Sequence, residues 1–184
     1  MKTKSTNFTV RTLALPDHRK GNDGLHCLRS RHRFVWVPAI NIGAVYLVDT
    51  NNDSVREIPD FATNEVEYGG RKRTQGPSGV SVGDSVVYIG NRADSSICAF
   101  DANTLSRKTC GHIDSTPDGV VYVAPTREVW VTAPRDNSVR ILDSQTLTQK
   151  EKLTFEGRPE GYAVDAKARS ILHELRGQRP HHRD

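Results

Sequence analysis

The sequence predicts an all-β fold, a β-propeller of four-stranded antiparallel blades, and two observations support this fold class. The first is a repeated phrase of a polar residue, glycine and alternating apolar residues, which begins at Asp23, Ser78, Asp118 and Glu160. Its last three copies begin 40 and 42 residues apart, which agrees with the ~40–45-residue period of a propeller blade. The second is that short segments rich in Val, Ile, Tyr, Phe and Trp follow each copy, and these residues suit half-buried strands.

Each unit holds four such segments, as one antiparallel blade requires. The third unit is the clearest example, with GVVYV, EVWVTAPR, NSVRILD and LTQKEKLTF in succession. Turn-forming residues such as those at 91–94 and 134–137 connect the segments. A β-sandwich would also contain a row of short strands, but the fixed period and the recurring glycine favour the propeller. No stretch has a clear apolar period of about 3.6 residues, so we expect almost no helix.

The period divides the chain into unequal parts. We expect a partly disordered N-terminal segment at 1–20, blades at about 21–75, 76–116 and 117–158, a blade fragment at 159–170, and an aberrant or disordered tail at 171–184. The tail loses the repeat pattern, and a one-base shift in reading can restore a peptide resembling the third unit. Our hypothesis is a frameshift near Ser170–Ile171 that truncates a longer propeller, and the alternative is a divergent tail. An open arc of blades leaves strand edges uncovered, so we expect the chain to be marginally stable, prone to aggregation or dependent on self-association through its open blades.

The charge and hydropathy of the chain narrow the function classes. The net charge is +4 over 184 residues, but residues 1–33 hold eight Lys or Arg against two Asp, so the remaining chain is net negative. A nucleic-acid groove would instead need basic residues interleaved with aromatics on the folded body, so we expect no nucleic-acid partner.

No apolar run is long enough for a membrane span. No signal peptide is recognisable, which favours the cytoplasm, although exported full-length relatives stay an alternative.

The three cysteines match no metal-ligand spacing. Cys98 and Cys110 fall on segments expected to pair as neighbouring strands of the second blade. A disulfide between them is one interpretation, but we expect buried free thiols.

Three stretches carry a resemblance to a known family: VVYIGNRADSSICAFD, EVWVTAPRDNSVRILD and PEGYAVD. With their Val/Tyr-rich strand, polar loop and strand ending in Asp, they resemble bacterial YVTN-type β-propeller repeat proteins, from about residue 21 to residue 169. A weaker resemblance, at Pro117-Asp118-Gly119, is to the regucalcin and gluconolactonase group. That group holds a divalent metal in its central funnel, but the place of its N-terminal metal-binding Glu reads Asn22-Asp23-Gly24 here.

Propeller topology brings one set of polar residues to a single face. Connections between blades and loops between the second and third strands both lie at the top of the funnel, where function concentrates on loops. The repeated polar residue before glycine should therefore surround the funnel. The insertion at 63–77, with its flexible Gly69-Gly70, should reach the same face. The candidate ligand-binding residues are Asp23, Asn41, Arg71, Lys72, Arg73, Asn91, Arg92, Asp118, Arg135 and Glu160.

These residue types suggest two chemistries. Converging carboxylates repel one another and would favour a divalent cation, Ca²⁺ or Mg²⁺, at Asp118 and Glu160. Arginines at the funnel mouth would hold a carboxylate or phosphate with two hydrogen bonds. Each feature also has a structural alternative, because Asp and Ser start turns and Arg92 or Arg135 could pair with the nearby Asp94 or Asp136.

Three functions compete at this stage. No His in the chain has a Ser, Asp or Cys partner at a recognisable catalytic spacing, so we favour a binding propeller over an enzyme. Its ligand would be a small anionic molecule or a protein or peptide partner. The alternative function is a metal-dependent lactone hydrolase, with Asp118 and Glu160 as its functional carboxylates. An inactive remnant of a longer propeller is the third alternative.

Overall fold

The computed structural model describes residues 13–15, 28–29, 34–165 and 170–176, and these residues form an incomplete, open β-propeller. Three four-stranded antiparallel blades are followed by a two-stranded fourth unit. The only helical element in the described ranges is a single-turn 3-10 helix at Pro134–Asp136. None of the described residues forms a helix long and apolar enough to cross a membrane.

The strands of each blade lie side by side in chain order. The first blade contains β1 Leu28–Arg29, β2 Phe34–Ala39, β3 Ala44–Asp49 and β4 Val55–Ile58. The hairpin that follows contains β5 Asn64–Tyr68 and β6 Arg71–Gln75. The second blade contains β7 Pro77–Val82, β8 Val86–Asn91, β9 Ser96–Asp101 and β10 Arg107–His112. The third blade contains β11 Val120–Val123, β12 Glu128–Ala133, β13 Ser138–Asp143 and β14 Gln149–Thr154. The fourth unit contains β15 Arg158–Asp165 and β16 Ser170–Arg176. Strand β16 begins at the last residue of the predicted blade fragment and continues into the stretch that we assigned to the tail.

The aspartate that ends the third strand of each blade builds the same turn three times. The backbone N–H four residues later donates to the carbonyl of Asp49, Asp101 and Asp143, at 2.8, 2.9 and 2.9 Å. The side chain of each Asp also accepts from a backbone N–H two residues later, at 2.9 to 3.0 Å. These backbone hydrogen bonds lower the pKa of Asp101 and of Asp143. The aspartate that recurs at the end of the third strand in all three blades therefore has a structural role.

The hydrophobic core lies between blades. One cluster joins the first and second blades through residues such as Trp36, Leu47, Ile89 and Phe100, all at most 2% exposed. A second cluster joins the second and third blades, with Val120 and Val129 fully buried. The second blade packs against a neighbour on each face. Its middle strands β8 and β9 are therefore nearly continuous buried runs.

Two glycines of the second blade permit its close packing against the third blade. A Cβ at Gly79 would lie 2.5 Å from the backbone oxygen of Asp118, and one at Gly90 would lie 2.8 Å from Val120 Cγ2. Neither position has room for a side chain. Ser78 is fully buried beside Gly79 and donates weakly to Pro117 and Asp118 carbonyls at 3.4 Å. It therefore joins two blades and does not border the funnel as we expected.

The insertion forms a regular hairpin, not the flexible loop that its two glycines suggested. Strands β5 and β6 pair in register from Asn64↔Gln75 to Tyr68↔Arg71. Gly69 and Gly70 form the two-residue connection, with φ values of +58° and +72°. Two successive positive φ values suit the tight turn of a right-twisted hairpin, and glycine adopts them without a steric cost.

Cys98 and Cys110 form a disulfide, so the expectation of free thiols was wrong. The two residues are direct cross-strand partners on β9 and β10, with their Cα atoms 4.1 Å apart. The equivalent cross-strand position in the third blade is Arg140↔Lys152. Each blade thus fills the same place with different chemistry, which the sequence spacing did not reveal.

Candidate functional site

A pocket of about 830 Å³ lies at one end of the blades. The β2–β3, β8–β9 and β12–β13 turns surround it, together with the connection between the second and third blades and the β5–β6 hairpin. The lining residues are Ile40, Asn41, Val66, Tyr68, Arg71, Lys72, Arg73, Thr74, Gln75, Arg92, Thr116, Pro117, Asp118, Pro134, Arg135 and Glu160. Five of these side chains are cationic and two are carboxylates.

The structure brings most of the predicted binding residues to this pocket. Those that line it are Asn41, Arg71, Lys72, Arg73, Arg92, Asp118, Arg135 and Glu160. Asp23 lies outside the described residues. Asn91 is absent from the lining because it is 2% exposed and bound to the backbone. Its amide group donates to the Ala62 carbonyl at 3.0 Å and its Oδ1 accepts from the Ala93 N–H at 2.9 Å.

Arg92 and Asp118, which both line the pocket, form an ion pair. The pair joins the β8–β9 turn of the second blade to the start of the third blade. Arg92 Nε is buried and has no hydrogen-bond partner among the described residues. Burial lowers the pKa of Arg92; the charge of Glu160 opposes this shift, and the charge of Arg135 adds to it. Asp118 therefore satisfies only part of this guanidinium.

The two local arginine pairs considered from the sequence do not form. Asp94 instead accepts a hydrogen bond from the Ser96 N–H at 3.1 Å. Asp136 binds Arg140 and Lys152, at 2.6 and 3.0 Å, and Arg135 stays exposed at the pocket. A short separation in the sequence did not predict these ion pairs. Asp94 accepts a hydrogen bond within its own turn, and Asp136 binds two cations of the third blade.

The hairpin contributes a run of exposed basic side chains. Lys72 Nζ lies 3.5 Å from Glu65 Oε2, but both side chains are more than 60% exposed, so this contact contributes little. The Arg73 guanidinium lies 5.5 Å from the centre of the Tyr68 ring. Within the described part of the chain, neither Arg71 nor Arg135 forms an ion pair. The pocket therefore has unneutralised positive charge.

The predicted cation site stays a prediction. In the part of the chain that the structure describes, no group of three or more His, Cys, Asp or Glu side chains could hold a metal ion. Asp118 is paired with Arg92, and Glu160 lines the same pocket. Asp23, the third carboxylate of the prediction, is not among the described residues.

A charge cluster around the buried Arg140 adjoins two segments of the pocket lining. Arg140 has no exposed side-chain surface and binds Asp114 at 2.5 Å and Asp136 at 2.6 Å. Ser115 and Ser138 donate to Asp136 Oδ1 at 3.1 and 2.6 Å. The cluster fixes the blade connection and the β12–β13 turn relative to each other. Those two segments carry Thr116 and Arg135 into the pocket lining.

Burial and hydrogen bonding oppose each other at Asp136. Burial raises the pKa of this carboxyl, but hydrogen bonds from Ser138, Arg140, Lys152 and Ser115 outweigh it, and the pKa is well below its ordinary range. The carboxylate is therefore the stable form in the folded protein.

Sequence reasoning missed Tyr68, Val66 and the role of Arg140. The alternation of VEYGGRKRT around two glycines was an available hairpin signal, and it would have placed Tyr68 beside the basic residues. The signal for Arg140 was a charged residue in the middle of an apolar strand, at the position occupied by Tyr46 and Cys98 in the first two blades. A charge at such a position requires buried partners.

Solved β-propeller structures are similar to this chain. Hydrazine synthase of Kuenenia stuttgartiensis matches with a TM-score of 0.64 and 13% identity, covering 78% of this chain and 39% of that one. Streptogramin B lyase matches with a TM-score of 0.56 and 14% identity, and the match covers 74% of this chain and 43% of the lyase chain. The dihydro-heme d1 dehydrogenase NirN matches with a TM-score of 0.57 and 20% identity, and the match covers 83% of this chain and 33% of the NirN chain.

These identities show a shared fold and nothing more. The chain spans less than half the length of each of these structures. No protein-family model matches the sequence, and no curated protein matches it.

Proposed function

We propose that this chain is a binding module of the YVTN-type β-propeller class, and that its pocket binds a small anionic molecule. The observation that carries the proposal is the charge of the pocket lining, where five cationic side chains face two carboxylates. One of those carboxylates is already engaged by Arg92. A ligand with phosphate or carboxylate groups would neutralise the excess charge through charge-assisted hydrogen bonds.

The placement of the cations supports a binding role. Arg92 and Arg135 come from equivalent turns of two neighbouring blades, and Arg71 to Arg73 come from the hairpin. A ligand would therefore be contacted from three separate segments of a rigid scaffold. The YVTN assignment rests on the repeat stretches together with the propeller fold. No contact within the described residues favours the lactone hydrolase, since Asp118 is paired with a guanidinium.

Titration calorimetry with sodium tripolyphosphate at low ionic strength tests this proposal. We expect saturable binding of one molecule per chain, which weakens as salt screens the charges. Arg71→Gln and Arg135→Gln should each weaken binding by about tenfold, because each removes a charge-assisted hydrogen bond of about 1.5 kcal/mol.

Arg127→Gln is the matched control. Arg127 is exposed on the β11–β12 connection, at the opposite end of the third blade. This variant has the same change in net charge as the pocket variants and should leave the affinity unchanged. An equal loss of affinity in all three variants would indicate general charge attraction and contradict a pocket site, as would the absence of binding by the unaltered chain.

A further inference from the structure

We propose that the ligand of this pocket is a nucleoside phosphate, whose base stacks on Tyr68 while its phosphates bind the arginines. This inference rests on the proposed anion-binding function and adds a second recognition element to it. The hairpin inserted between the first two blades supplies that element, and it has no equivalent between the second and third blades.

The hairpin has two chemically different faces. Side chains alternate along a strand, so the register pairs Val66↔Arg73 and Tyr68↔Arg71 lie on one face. All four of these residues line the pocket. Glu65 and Glu67 lie on the opposite face with their register partners Thr74 and Lys72. Thr74 and Lys72 are also among the lining residues, but the two carboxylates are not. The hairpin thus presents apolar and cationic groups to the pocket and keeps its carboxylates away from it.

Tyr68 is an exposed aromatic ring beside cations. Its side chain is 62% exposed. Among the described residues, Leu13 is the one other large hydrophobic residue that is exposed. The guanidinium of Arg73 contacts the ring at 5.5 Å from its centre and restricts its orientation. A partly ordered exposed ring is a stacking surface for a planar base, and such stacking tolerates any base because every base has a π-face.

The pocket has room for a ligand with two parts. Its volume of about 830 Å³ lies within the ~300–1,000 Å³ of small-molecule sites. Tyr68 and Val66 lie on the hairpin, whereas Arg92 and Arg135 lie on blade turns that line the same pocket. A phosphate alone would bind the cationic side chains and leave the Tyr68 ring exposed. A nucleoside phosphate would bind the cationic side chains and also stack its base on the ring.

The test compares ATP, tripolyphosphate and adenosine by calorimetry, without divalent metal, on the unaltered chain and on Tyr68→Leu. Tripolyphosphate has the three-phosphate chain of ATP but neither its base nor its ribose. We expect ATP to bind about five- to tenfold tighter than tripolyphosphate, as stacking of one base contributes on this scale. Tyr68→Leu should abolish that difference between the two ligands, whereas Tyr68→Trp should preserve it.

Each other outcome has a definite meaning. If tripolyphosphate binds but ATP binds no tighter, the nucleoside assignment is wrong while the anion-binding function stands. If Tyr68→Leu weakens both ligands equally, the ring acts by holding Arg73 and the base-stacking assignment is wrong. If neither ligand binds, both proposals fail.

Discussion

Replacing Arg140 with Met should lower the free energy of unfolding by about 2 kcal/mol, the scale of hydrogen bonds to a charged group. The loss is smaller than for a fully buried ion pair, because the side chains of Asp114 and Asp136 are 73% and 31% exposed. Arg140 is completely buried and binds both Asp114 and Asp136. Methionine fills much of the same volume but leaves Asp136 with one cation, Lys152, at 3.0 Å. Urea denaturation followed by tryptophan fluorescence measures this change. The matched control is Arg127→Met on the exposed β11–β12 connection, which should change stability by less than about 0.5 kcal/mol.

The same cluster predicts a dependence of stability on pH. The pKa of Asp136 is lower in the folded protein than in the unfolded chain, where it is about 3.9. The ionised carboxylate therefore stabilises the fold above about pH 4, and this contribution is lost as the pH falls toward the folded pKa. Asp136→Asn should be less stable at pH 7 and should lose less stability than the unaltered chain between about pH 4 and pH 2. Parallel profiles of the two proteins would contradict this role of Asp136.

Reducing the disulfide between Cys98 and Cys110 should also lower stability by about 3 kcal/mol, since it frees a short loop in the unfolded chain. The two cysteines are 12 residues apart. For a chain of this size, that loss corresponds to a fall in Tm of about 6–12 °C. Differential scanning calorimetry with and without a reductant measures the difference. Cys110 is exposed, so the reductant can reach the bond.

The double variant Cys98→Ser, Cys110→Ser separates loss of the bond from other effects of the reductant. It should melt at about the temperature of the reduced protein, and the reductant should not change its Tm. An unaltered chain whose Tm does not respond to reductant, and whose thiols react fully with an alkylating reagent, would show that the cysteines are not paired.

The propeller fold could be predicted because its signals are local and repeated. The glycine of the phrase at Gly79 has a steric reason, since a side chain there would collide with the next blade. The aspartate at each third-strand end recurs because it builds the same turn at Asp49, Asp101 and Asp143. Sterics and turn geometry of this kind act on every copy of a repeat, so they appear directly in the sequence.

The contacts of the candidate site could not be predicted, because they join distant segments. Arg92 pairs with Asp118, 26 residues away, and not with the adjacent Asp94. The disulfide and the Arg140 cluster depend on cross-strand register, which the period alone does not fix. The hairpin was missed because Gly69-Gly70 was interpreted as a flexible loop, although alternation on both sides of the glycines indicated paired strands.

Mapping tripolyphosphate binding by ¹H–¹⁵N NMR tests the central claim, that the basic pocket is the binding surface. We expect chemical-shift changes at the backbone amides of the pocket lining, namely Asn41, Arg71–Gln75, Arg92, Thr116, Asp118 and Arg135. The connections at the opposite end of the blades, 83–85 and 124–127, should not respond. Shifts confined to those opposite connections, or spread evenly over all exposed basic residues, would contradict the account.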